Sequence, residues 1–148
     1  MTTNQMERLE LVRKAYVTAK RGEEDIYILN TDILDTATQN ALLDIQHRLE
    51  IDFNLSYQVM GTACDLFSEA DEEIGGLEGM DFSEMARESA SVYTYPRLQY
   101  MDANNQSDIT EIMREYSCSI DIADACAIWY DRKVTQACEA IRSYILNA

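Results

Sequence analysis

Few residues in this chain have the type and spacing needed for chemistry. His47 is the only histidine, so a His-based zinc site, a catalytic triad or a di-metal Glu-x-x-His pair has too few ligands. Cys64, Cys118, Cys126 and Cys138 contain no C-x-x-C pair. They read as small buried apolar residues, not as a disulfide or metal framework. A Cys64–His47 nucleophile pair has no support from spacing, because Cys64 falls mid-helix by pattern. No G-x-G-x-x-G or G-x-x-x-x-G-K-[ST] run is present, and the one glycine cluster, Gly75-Gly76-Leu77-Glu78-Gly79, is flanked by carboxylates that would repel phosphate. Asp71-Glu72-Glu73 lacks the alternating ligands and closing Glu of a calcium loop. The reading is of a non-enzymatic protein with no cofactor and no metal.

Carboxylates are what remains. The 148 residues carry 27 Asp+Glu against 12 Lys+Arg, a formal net charge of −15. Residues 1–21 are locally basic, so the excess lies beyond them. It peaks between residues 65 and 84, where eight acids meet no Lys or Arg. Asp65, Glu69, Glu72 and Glu73 fall on one face if a helix carries them, and Asp81, Glu84 and Glu88 fall on one face of the next. Two such antiparallel rows would coarsely copy duplex DNA, which carries one charge per ~1.7 Å of axis. A chain this acidic is not expected to bind nucleic acid itself. Its natural partner is a basic protein surface. Tyr93, Tyr95 and Tyr100 around Pro96 add amphipathic aromatics of the kind enriched at interfaces.

The elements that must position these groups read as helical almost throughout. Apolar steps of three and four predict a helix over 4–21, stopped by Gly22. Residues 23–30 are either an extended link or a helix lead-in. A helix capped by Thr31 or Asp32 should run to about residue 51, with Ile33, Ala37, Ala41, Ile45 and Leu49 as its stripe. His47 lies off that stripe, at the rim. Another helix should run from about Leu55 to Glu73, turning Tyr57, Met60, Cys64 and Phe67 inward and ending at Gly75-Gly76. Asp81 with Glu84 fits a capping box for a helix reaching about Tyr93. Ser107 should cap the next, with Ile109, Ile112, Met113 and Tyr116 inside. The last helix, from Ser119 to about Leu146, is the longest and should be the spine, with Ile122, Cys126, Trp129, Lys133 or Val134, Ala137, Ile141 and Tyr144 or Ile145 keeping its helical period.

The expected fold is therefore all-α: one domain over 1–148, a bundle of five or six helices with a long C-terminal helix. No run approaches the 18 apolar residues of a membrane helix, and the N-terminus lacks a secretory signal pattern, which implies a cytoplasmic protein. A homodimer through the long helix is compatible with the sequence.

In size, charge and the acidic row Asp65–Glu88, the chain resembles the acidic inhibitor proteins that phages and mobile elements carry against CRISPR and restriction nucleases, several of which mimic nucleic acid. The resemblance is one of composition, carries no family-specific motif and transfers no residue roles. It implies a phage-encoded inhibitor of anti-CRISPR or antirestriction type, working in the host cytoplasm. The competing expectation is an all-α adaptor or regulatory module that binds through an apolar or aromatic face.

Overall fold

The computed structural model describes residues 1–70, 74–89 and 95–148. It is 68% helical, with seven α-helices among the described residues and one two-stranded antiparallel sheet. The chain is thus mostly, not purely, helical.

The expected first helix is two structures. Helix α1 spans Thr3–Arg13, and a hairpin of β1 (Tyr16–Arg21) and β2 (Glu24–Leu29) follows. Tyr16, Val17 and Thr18 favour a strand, and Arg21 pairs with Glu24 across a two-residue loop. Gly22 opens that loop with a φ of +66°, a conformation glycine adopts without steric cost. Gly22 therefore turns a hairpin where the periodicity placed a helix end. Of the two readings for 23–30, the extended one holds.

Helix α2 covers Thr36–Arg48, capped by Asp35, whose carboxylate accepts the Thr38 N–H at 2.8 Å. Thr31 and Asp32 lie outside it. Its buried face is Thr38, Leu42, Ile45 and Gln46, while Ile33 and Ala37 are exposed. Helix α3 (Phe53–Leu66) is followed by a 3₁₀ turn, Phe67–Glu69. Gly75 and Gly76 do not end it. They lie inside the short α4 (Ile74–Glu78). Helix α5 (Phe82–Glu88) starts at its expected cap: Asp81 accepts the Glu84 N–H at 3.1 Å. Helix α6 (Ala103–Glu115) is capped by Asp102, not Ser107. Helix α7 (Ile122–Leu146) is capped by Asp121, not Ser119.

Five helices thus begin at an Asp, and four of those side chains accept the N–H three residues on. A short carboxylate there satisfies an orphan donor and meets the positive end of the helix dipole. Part of the acidity is therefore structural.

The spine is α7, whose buried residues run from Ala125 to Ile145 and include Trp129, Tyr130, Val134 and Ile141. Ile122 is exposed, because it precedes the first turn that meets the core. Helix α3 packs against α7 and also against the hairpin, and is buried nearly all round from Val59 to Cys64. Thr62 and Tyr130 join the two helices through their hydroxyls at 2.9 Å. On the hairpin side, the Tyr27 ring covers Gly61, where a Cβ would lie 2.2 Å from Tyr27 Cγ. Its hydroxyl donates to Asp65 at 2.6 Å. Tyr16 donates to Gln46, and Gln46 in turn to Ser56, so a buried polar chain ties the hairpin to α2 and α3.

A candidate anionic binding surface

The structure separates the expected acidic row into different settings. Asp65 is exposed on the last turn of α3, but the Tyr27 hydroxyl engages it, so it fixes the hairpin. Burial, then the Asp65 carboxylate, pushes the Tyr27 phenol well above its ordinary value. Glu69 is exposed in the 3₁₀ turn beyond the helix. Because α3 stops at Leu66, Glu69 does not continue the helical face of Asp65. Glu72, Glu73 and Tyr93 lie outside the described residues. Glu84 and Glu88 are exposed one turn apart on α5, with the exposed cap Asp81 below them. Tyr95 is half-buried: its hydroxyl donates to Asp131 at 3.2 Å and its ring meets Tyr130 edge-on at 5.7 Å. Tyr100 is exposed.

The cations explain why so much negative charge stays uncompensated. Arg8 donates to the Tyr144 carbonyl and stacks on its ring at 4.2 Å, at the end of α7. Arg13 holds the carbonyls of Phe67 and Ala70 after α3. Lys133 reaches the Leu49 carbonyl at the end of α2 at 2.8 Å. Arg142 donates to the Met80 carbonyl beyond α4 at 2.9 Å and lies over the Phe82 ring at 4.9 Å. These four cations meet carbonyls at or just beyond the C-terminal ends of helices, where the dipole is negative. Lys20, Arg21, Arg48, Arg114 and Arg132 sit in exposed pairs with Asp25, Glu24, Asp44, Glu111 and Glu115. Glu69, Glu78, Glu84 and Glu88 are in none of the ion pairs found among the described residues.

The groups considered for nucleophilic chemistry lie apart in character. Cys64 is fully buried, and burial pushes its thiol up. His47 is exposed, as its off-stripe position implies. Cys126 and Cys138 are buried as expected, but Cys118 is exposed. It sits with Ser117 in a left-handed turn after α6, at φ values of 57° and 52°. Trp129 is a core anchor, 2% exposed, and its indole N–H has no partner among the described residues. No His/Cys/Asp/Glu group able to hold a metal ion is found among the described residues. No described helix is long and apolar enough to cross a membrane.

Periodicity did not reveal one junction. Asp52, before α3, and Asp102, before α6, meet. The Asp102 N–H donates to both Asp52 carboxylate oxygens at 3.1 Å. Asn105, buried, accepts the Asp52 N–H and donates to the Glu50 carbonyl, each at 3.2 Å. Partial burial, and then Asp102, push Asp52 up to about 6. Asp102, held by its hydrogen bonds to Asp52 and to the Asn105 N–H, is lowered. An Asp directly before a helical run at two separate places was the available sequence signal. That the two caps meet depends on tertiary packing.

Neither a protein-family model, a curated protein nor a solved structure matches the chain.

Proposed function

We propose that this chain is a non-catalytic anionic protein that occupies the basic, nucleic-acid-binding surface of another protein, with a CRISPR or restriction nuclease as the class that best fits its charge. The supporting observation is the division of labour among charges. Most cations are drawn into helix-end contacts or exposed pairs, while Glu69, Glu78, Glu84 and Glu88 remain exposed and outside those pairs. A surface of that kind steers toward a basic groove and competes there with phosphate. Steering of this kind weakens as salt rises, since screening acts over ~8–10 Å.

The experiment is displacement of a labelled duplex from a basic nuclease, at low and high salt. Reversal of the surface charges, E69K/E84K/E88K, is compared with a matched triple elsewhere, E7K/D32K/D108K. Exposed pairs contribute ~0.2–1 kcal/mol each, so three reversals together should raise the half-displacing concentration about tenfold or more. The matched triple should change it less. Equal competition by both triples, or no displacement by the native chain at low salt, refutes the proposal. The alternative, an adaptor binding through an apolar face, draws on Phe53 and Tyr100, which are 72% and 69% exposed. An apolar contact would be nearly indifferent to salt.

A further inference from the structure

Phe53 and Tyr100 are the two most exposed large apolar side chains among the described residues. They are far apart in sequence, yet both flank the same junction. Phe53 follows Asp52, and Tyr100 precedes Asp102 by two residues, across the 3.1 Å contact between those aspartates. Successive Cα atoms are ~3.8 Å apart, so both rings spring from backbone within two residues of the carboxylates. The Phe53 ring is held edge-on to Tyr57 at 5.3 Å, which restricts it before any partner arrives.

The charge at this place is negative on balance. Asp52, Asp102 and the exposed Glu50 contribute three carboxylates. The positive ends of α3 and α6 offset about one unit of that charge. Nearby cations are engaged: Lys133 with the Leu49 carbonyl, Arg48 with Asp44, and Arg21 with Glu24 and the Asn54 side-chain carbonyl, both at 3.5 Å. Arg97 stands three residues before Tyr100, at the opposite end of its 3₁₀ turn. Exposed aromatic faces beside carboxylates match one side chain closely. A guanidinium stacks on aromatic rings and presents a planar fork of donors to a carboxylate. An ammonium uses only the charge.

We propose that Phe53 and Tyr100, flanking Asp52 and Asp102, form the seat for an arginine side chain of the basic partner, an inference that rests on the anionic-binding reading above. The seat supplies the aromatic anchor that diffuse charge lacks, and it gives arginine an advantage over lysine.

The test measures affinity, over a range of salt, for a short alternating Arg–Gly peptide and its Lys–Gly counterpart. The proteins compared are the native chain, F53A/Y100A, the exposed-apolar control Y116A/I122A, and E69K/E84K/E88K. All four truncated side chains are exposed, so far-UV circular dichroism should be unchanged. F53A/Y100A should weaken the Arg peptide about tenfold at every salt concentration, since each exposed stacking contact is worth ~0.5–1 kcal/mol. The Lys peptide should weaken by less, and Y116A/I122A should bind both as the native chain does. If F53A/Y100A binds the Arg peptide normally, or loses both peptides equally, the seat is refuted even where charge reversal still weakens binding. If the native chain binds neither peptide at low salt, the anionic-binding reading fails as well. A native dimer that F53A/Y100A converts to monomer in sedimentation would assign the patch to a second copy and overturn the proposal.

Discussion

Gly61→Ala isolates the contact that docks the hairpin. A Cβ at position 61 would lie 2.2, 2.3 and 2.7 Å from three Tyr27 ring atoms, closer than any real packing contact. The ring must move, and its hydroxyl then leaves Asp65, which it meets at 2.6 Å. Forcing a group into a filled site costs ~1–3 kcal/mol. Loss of the hydrogen bond adds ~1 kcal/mol. Against this, Ala in a helix interior is better than Gly by ~1 kcal/mol. The balance is a destabilisation of ~1–3 kcal/mol. A two-stranded hairpin has little stability of its own, so undocking should leave it disordered.

The decisive measurement is a double-mutant cycle by urea unfolding. With Tyr27→Ala the three ring atoms that a Cβ at position 61 would strike are gone. There it should stabilise by ~1 kcal/mol, as a plain helix substitution does. The sign of the same change therefore reverses with the residue at position 27, a coupling of ~2–4 kcal/mol. A stabilising Gly61→Ala of equal size in both backgrounds would refute the packing of Tyr27 on Gly61.

Asp52→Asn keeps an acceptor for the Asp102 N–H but removes a group pushed up from 3.8 to about 6. A raised carboxylate pKa means that the folded state binds the proton more tightly, so native stability should fall relative to D52N as pH rises from about 4 to 6; the screened pair limits the gap to ~1 kcal/mol, and parallel pH–urea profiles would contradict this. Trp129→Ala should cost ~3–5 kcal/mol, and native Trp fluorescence should be blue-shifted; a red-shifted, freely quenched native spectrum would place it on the surface. A thiol reagent should label one cysteine per native chain, because Cys118 is exposed while burial pushes the other three thiols up; rapid labelling of a second would show that the core is open. Arg142→Met should destabilise by ~1–2 kcal/mol through the lost Met80 carbonyl and Phe82 contacts, and an unchanged unfolding midpoint would remove Arg142 from the account of helix-end cations.

Legibility followed the physics of each signal. The long amphipathic run to Leu146 was readable because a helix that packs its length on a core repeats its apolar positions many times. Asp81 was readable because its cap is local, three residues from the N–H that it accepts. Residues 16–21 misled because Tyr16 and Ala19 also keep a helical step. Only the Gly22 turn and the facing segment Ile26–Leu29, the latter from beyond the expected helix, make them a strand. The stripe of α2 held at Ile45 and Leu49 but not at Ile33 and Ala37, because the buried face includes Thr38 and Gln46, polar residues that apolar counting passes over. Gln46 is inside because Tyr16 and Ser56 satisfy its amide, a condition set by three elements at once. The expected helical step from Asp65 to Glu69 was lost for a local reason: α3 gives way to a 3₁₀ turn at Phe67, with no Gly or Pro to announce it.

The fate of the charges also settles how the net value of −15 should be used. Asp at helix starts and Arg or Lys at helix ends are two halves of one arrangement, each placed where the dipole favours it. The arrangement takes both signs out of the surface balance, but the chain owns far fewer cations than carboxylates. Once Arg8, Arg13, Lys133 and Arg142 are committed to carbonyls, the exposed acids of α5 have only Arg87 as a cation on their own helix, and no ion pair with it is found among the described residues. Folding therefore does not lessen the anionic character read from composition. It leaves that character on exposed acids such as Glu69, Glu78, Glu84 and Glu88, whose side chains are outside the ion pairs found among the described residues.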